Sequence, residues 1–126
     1  DIIKQHPIKG AEIVQPVSFL KDYIHVIRHH HERYDGGGYP DGLAGGKIPL
    51  GAQIVSVADE YDAITSTRPY RKGLSPGEAA ARIFAERGTQ FAPTVVDAFK
   101  RVFDRKEFES IFHMYQSQYE FKSTPA

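Results

Sequence analysis

His29-His30-His31-Glu32-Arg33-Tyr34-Asp35-Gly36-Gly37-Gly38-Tyr39-Pro40 is the stretch on which the reading of this chain turns. Three imidazoles close an amphipathic run, a carboxylate follows at once, and the glycines that come next are too many for a continuing helix. Imidazole is a neutral nitrogen ligand near pH 7 and the commonest metal-binding side chain. Neighbouring residues of an α-helix point about 100° apart, so adjacent histidines cannot easily share one ion from a single face. They suit two neighbouring ions, or a helix end where the backbone is already unwinding. Glycine lets the main chain approach a ligand closely and adopt positive φ, and Pro40 fixes the exit. The stretch reads as a metal site with a substrate lip. A polyhistidine surface followed by a turn is the competing reading of these residues alone.

Working outward, 126 residues suffice for one domain with a sizeable core. A hydrophobic content of 40% and a charged content of 25% are those of an ordinary globule. Sixteen basic and sixteen acidic residues give a formal charge of zero, which argues against binding a nucleic acid polymer or an anionic membrane, since both need a basic excess. Without cysteine there are no disulfides and no thiolate ligands. Any metal must be held by His, Asp and Glu. No apolar run approaches the roughly 20 residues of a membrane span, so a cytoplasmic domain is expected. The chain opens at Asp1 without methionine and in mid-pattern, as a piece of something longer would.

The periodicities are helical throughout. His6-Pro7 opens a short helix with Ile8, Ala11, Ile13 and Val14 as its apolar side, ended by Pro16. Phe19, Leu20, Tyr23, Ile24 and Ile27 recur at three and four residues and lead to the histidines. Residues 32 to 50, rich in glycine and carrying Pro40 and Pro49, form a long loop, a length that inside compact domains is usually functional. Gly51 to Arg68 is the strongest helix, with Ile54, Val57, Ala58, Tyr61 and Ile64 as the buried face. Asp59 and Asp62 lie near one another on its side, and Pro69 stops it. Ser75-Pro76-Gly77-Glu78 is a capped helix start, and that helix runs through Ala79, Ile83 and Phe84 to Gly88. Another opens at Pro93 or Thr94 with Val95, Val96, Phe99, Val102 and Phe103 inward. Asp104 caps a last one with the stripe Phe108, Ile111, Phe112, Tyr115 and Tyr119. The expected architecture is an all-α bundle of about six helices with a long Gly-rich loop: a single domain over 1–126, with a C-terminal helix over 104–120 and a tail over 121–126.

Four candidate ligands, His6, His30, His31 and Asp59, come from three helices. Nitrogen and oxygen donors without sulfur suit iron, manganese, zinc or magnesium. Downstream, Arg68-Pro69-Tyr70-Arg71 places two guanidiniums three positions apart as a fork for phosphate oxygens. Metal ligands beside a phosphate clamp point to metal-assisted phosphoester hydrolysis. His25 and His29, four apart, read as a solvated or packed pair, and isolated His113 as structural.

The string His30-His31-Glu32, Asp35-Gly36, Gly38-Tyr39-Pro40 resembles the signature of the HD-GYP domain, a subgroup of the HD metal-dependent phosphohydrolases. The likeness continues through Gly42-Leu43, Gly45, Ile48-Pro49-Leu50, Val57-Ala58-Asp59, Tyr61-Asp62-Ala63 and Arg68-Pro69-Tyr70-Arg71. It covers about residues 6–103, with His6-Pro7 and Gly10 upstream and Phe91, Pro93 and Val95-Val96 downstream. The resemblance implies a binuclear or trinuclear centre of divalent ions, iron or manganese. It implies hydrolysis of the bacterial signal cyclic di-GMP to pGpG and, in some members, to GMP. His6, His30, His31 and Asp59 fall on metal-ligand positions, with His30, His31 and Asp59 as the catalytic set. Arg68 and Arg71 fall on substrate-contacting positions, and Gly38, Tyr39 and Pro40 on the lip, which is also associated with recognition of a protein partner. Glu32, Asp35 and Asp62 are expected to orient imidazoles or pair with the arginines.

The family's name-giving His-Asp pair has no counterpart in this sequence, which resembles the C-terminal two-thirds of the domain. Ala92 stands where many members carry aspartate. Weak metal occupancy and little turnover are expected of this chain, as is a bared apolar surface for a second copy (a dimer) or a rearranged helix to cover. The alternatives are an inactive signalling or scaffold module that binds a partner through the lip, or an HD phosphohydrolase for another nucleotide.

Overall fold

Proline at an early helical position leaves no orphan N–H, and it recurs in three of the helices of this chain. Pro7 stands second in α1 (His6–Val14), while Pro76 opens α4 (Pro76–Ala85) and Pro93 opens α5 (Pro93–Phe103). Between them lie α2 (Ile24–His29) and α3 (Leu50–Thr65). The computed structural model describes residues 3–105 together with Ser110, Ile111, His113 and Met114. Among these there are five α-helices, short 3-10 turns at Ile3–Gln5, Ser18–Tyr23 and Gly45–Lys47, and no strand. No helix of the described residues is long and apolar enough to cross a membrane. Ser110, Ile111, His113 and Met114 are helical; Phe108, Phe112, Tyr115 and Tyr119 of the predicted last stripe lie outside the described residues.

α1 packs on α2, α2 on α3, and α3 on both α4 and α5. The first layer holds the histidines and the second holds the core. That core is Val57 of α3, Ile83 of α4, Phe91 and Ala92 of the following turn, and Val95 and Val96 of α5. Tyr34, Tyr61, Phe84 and Phe99 pack against it partly buried. Tyr34 anchors the Gly-rich loop against this cluster near its start, and Ile48 is buried near its end. Close approach of α2 and α3 needs Gly51, because a Cβ there would meet Val26 Cγ2 at 2.7 Å.

Several side chains predicted inward face out. Ile54 is 51% and Ile13 75% exposed, Ala58 is exposed, and Val102 is 47% exposed. The buried residues of α3 are Ala52, Val57, Ile64 and Thr65. The apolar stripe of α3 is wider than α2, α4 and α5 can cover, and those helices cover one edge of it. Leu50, Ile54 and Val55 therefore leave apolar side chains on the outside. The run from Phe19 is also not one helix. A 3-10 turn occupies Ser18–Tyr23 and leaves Phe19 and Tyr23 exposed, and α2 starts only at Ile24.

Ser75 caps α4 as predicted, its Oγ accepting the Glu78 N–H at 3.2 Å. Ser75→Ala is expected to lower stability by about 1 kcal/mol in urea unfolding, the usual worth of such a cap, without altering the site described next.

Candidate metal centre

The long order of the chain brings His6 to the histidine pair. α1 begins with His6 and α2 ends at His29, so packing α1 on α2 sets the start of one against the end of the other. The imidazoles of His6, His30 and His31 offer one ring nitrogen each, all within 4.8 Å of one another. Nε2 of His31 is 3.2 Å from Nε2 of His6. Two nitrogens bound to one ion at about 2.1 Å lie about 3.0 Å apart at a right angle and about 3.4 Å apart at the tetrahedral angle, which brackets the observed separation. His30 Nδ1 sits 2.6 Å from the carbonyl of Ile27. That contact places its proton on Nδ1 and leaves the Nε2 lone pair for a ligand role, the outer support that ligating imidazoles usually have. The donor set and its support fit a divalent ion.

Burial holds the His31 imidazole below its ordinary titration range, and the neighbouring His30 and His6 add to this, while Asp59 opposes it. The neutral, ligating form is thereby favoured. Asp59 is exposed on α3 and acts on His31 through its charge; it stands outside the close triplet of nitrogens.

The loop closes over the centre through contacts that the sequence did not reveal. Tyr39 lies flat on His31, with ring centroids 5.2 Å apart and planes 20° from parallel. Its N–H donates to the His31 carbonyl at 3.3 Å. Gly38 permits this, because a Cβ there would collide with the backbone of His31, Glu32 and Arg33. Glu32 is 3% exposed. Its two oxygens accept the N–H groups of Asp41 at 2.7 Å and Leu43 at 3.0 Å. Beyond the expected part in orienting an imidazole or pairing with an arginine, Glu32 ties the far arm of the loop back to its start. A carboxylate followed by a turn of nine residues is the only signal that could have suggested it.

Asp35 pairs with Arg33, two residues before it and not one of the expected Arg68 and Arg71, at 3.0 Å, and it accepts the Gly37 N–H at 2.9 Å. Asp62 is exposed, and its carbonyl accepts both the N–H and the Oγ hydroxyl of Ser66. Arg68 and Arg71 bracket a tight turn in which each backbone N–H donates to the other's carbonyl, at 2.7 and 3.1 Å. Tyr70 at its tip is 85% exposed. One guanidinium N–H of Arg71 donates to the Ala63 carbonyl at 2.9 Å, closing the end of α3. Both arginines are exposed. His25 is exposed, whereas His29 is largely covered.

Two outcomes follow from this geometry. Glu32→Ala strands two loop N–H groups and is expected to cost on the order of 3 kcal/mol in urea unfolding, with Glu32→Gln, which can accept only one of them, losing about half as much. For His31, the folded-state pKa lies below the unfolded value of 6.5. The unfolded chain therefore binds more protons between the two values. Stability from this group is present above pH 6.5 and lost as pH falls through the depressed value. The melting temperature of the chelator-treated chain is expected to drop on acidification from pH 7.5 to 5, and His31→Gln to flatten that drop.

Comparison with known proteins gives the family. The sequence model of the HD domain family matches residues 1–95. A cyclic di-GMP phosphodiesterase response regulator of Xanthomonas campestris pv. campestris is 43% identical over 113 residues, 88% of this chain and 29% of the relative. A cyclic di-GMP phosphodiesterase of Pseudomonas aeruginosa is 46% identical over 101 residues, 78% of this chain and 24% of the relative. The crystal structure of a cyclic GMP-AMP specific phosphodiesterase of Vibrio cholerae superposes with a TM-score of 0.68 at 25% identity, over 80% of this chain and 23% of that one. The chain thus spans less than a third of the length of these relatives. With three imidazoles converging under a glycine lip, and the family's model matched over residues 1–95 of 126, the chain belongs to the HD domain family, in its HD-GYP group.

Proposed function

We propose that the whole protein is a metal-dependent phosphodiesterase for cyclic dinucleotides, acting on cyclic di-GMP to give pGpG and, onward, GMP. The observation that carries this reading is the meeting of His6 with His30 and His31, nitrogen donors within 4.8 Å drawn from the start of α1 and from the turn that follows α2. The substrate class is supported by relatives named as cyclic di-GMP phosphodiesterases. A relative named as specific for 3'3'-cGAMP, 30% identical over 98 residues, makes that dinucleotide the second substrate to assay.

His6, His30, His31 and Asp59 would hold the divalent ions, with iron or manganese as the first choices. Ions bound there supply Lewis acidity, a more acidic water and neutralisation of charge on the phosphoryl oxygens. The chain's own residues do the rest. The Ile27 carbonyl holds His30 in its ligating tautomer. Tyr39 covers one face of His31 and keeps water off it. Asp59 lies on α3, which leads directly into the turn that displays Arg68 and Arg71. A guanidinium has five N–H donors, so Arg71 keeps several for phosphate oxygens after bonding Ala63. The lip of Gly38, Tyr39 and Pro40 forms the rim over which the dinucleotide enters, and its exposed shoulder at Asp35 and Gly37 is open to a protein partner.

The test is turnover of cyclic di-GMP and 3'3'-cGAMP by the whole protein loaded with manganese or ferrous iron, with products separated by chromatography. Hydrolysis of cyclic di-GMP is expected. His30→Ala should lower kcat by about a hundredfold or more, since loss of a mere outer partner already weakens such centres by up to that factor. Arg68→Ala should raise KM about tenfold, the worth of one charge-assisted hydrogen bond. A fully loaded protein that leaves both dinucleotides intact would overturn the proposal.

A further inference from the structure

Beside the triplet of imidazoles is a second group of donors with no part in the function proposed above. His29 is the last residue of α2, and its side chain is 12% exposed. Its Nδ1 is buried and makes no hydrogen bond. It faces two carboxylate oxygens, Glu32 Oε1 at 3.6 Å and Asp41 Oδ2 at 3.4 Å. All three atoms lie within 4.8 Å of one another.

These separations are long for hydrogen bonds, whose N–H···O distances cluster near 2.9–3.0 Å. They are close to the edge of a tetrahedron around an ion, about 3.4 Å for donors about 2.1 Å from the centre. The carboxylates are also held as ligands usually are. Glu32 Oε1 accepts the Asp41 N–H at 2.7 Å, and Asp41 Oδ2 accepts Arg28 Nε at 3.0 Å. Each oxygen then has a lone pair left over. With the His29 proton on Nε2, three lone pairs converge on one point.

We infer that His29, Glu32 and Asp41 form a second site for a divalent transition cation, distinct from the centre of His6, His30 and His31. The two are separated by helix geometry, because adjacent residues such as His29 and His30 project about 100° apart. One imidazole and two carboxylates suit zinc, manganese, cobalt or ferrous iron. Two carboxylates against the single charge of Arg28 leave the site negative before the ion arrives. Asp41 is 36% exposed at its side chain, which opens the site to solvent on that side. An ion here joins the end of α2 to both arms of the loop and so fastens the lip that stacks Tyr39 on His31. Its role is to brace the loop.

The probe is cobalt(II), followed by its visible spectrum and by calorimetry, on the chain as it stands and on the double variant His6→Ala/His31→Ala, which dismantles the first centre. The double variant is expected to keep one cobalt per chain with one nitrogen donor. Adding His29→Gln or Asp41→Asn on that background should weaken binding by roughly tenfold or more. Asp41 lies at the surface, so its variant keeps the fold, which circular dichroism verifies. Loss of all cobalt from the double variant would overturn the inference. So would retention unaffected by both further substitutions, or 15N shifts showing His29 protonated on both nitrogens in excess zinc, the mark of a proton in place of an ion.

Discussion

A buried carboxylate that accepts two backbone N–H groups holds the loop in place, and the candidate centre depends on the loop. The segment from Glu32 to Pro49 has few apolar side chains to bury, and its glycines lose more freedom on ordering than any other residue. Hydrophobic burial alone cannot order it. Glu32 supplies what burial lacks: charge-assisted hydrogen bonds, about twice as strong as neutral ones, to Asp41 and Leu43 in a site shielded from water. Tyr34 adds a foothold in the core. The N–H groups of Tyr34 and Asp35 donate to the carbonyls of Gln90 and Thr89, stitching the loop to the turn before α5.

The arrangement has a clear division of labour. α3, α4 and α5 enclose the core and make a rigid base. α1 and α2 lie to one side of it, joined to the core mainly through α2 against α3. The imidazoles occupy the junction of α1, α2 and the loop. A group of nitrogen donors there does not compete with the core for space.

The two groups of donors sit on opposite sides of one short segment, His29 to Glu32. His30 and His31 face His6, while His29 and Glu32 face Asp41. This follows from the end of α2. The helix stops at His29 and the chain turns, with the Glu32 N–H donating to the His29 carbonyl at 3.1 Å. Successive side chains are thus thrown to different sides within four residues.

The all-α class, the proline-led starts of α1, α4 and α5 and the Ser75 cap were legible in the amino-acid order, because these signals act locally; the run from Phe19 and the end of α3 were not read correctly. The candidate donors His6, His30 and His31 were legible as well, through the resemblance of their motif. What tertiary structure alone decided was which part of each stripe is covered and which partner each charged group takes. Ile54, Ala58 and Val57 belong to one apolar face by periodicity, yet only Val57 is buried, because burial depends on where the neighbouring helices lie. The partners of Glu32, nine and eleven residues on, and the seating of Tyr39 on His31 depend on the chain folding back on itself. Local sequence carries no record of that closure, since the energies that select it exist only once the loop has closed.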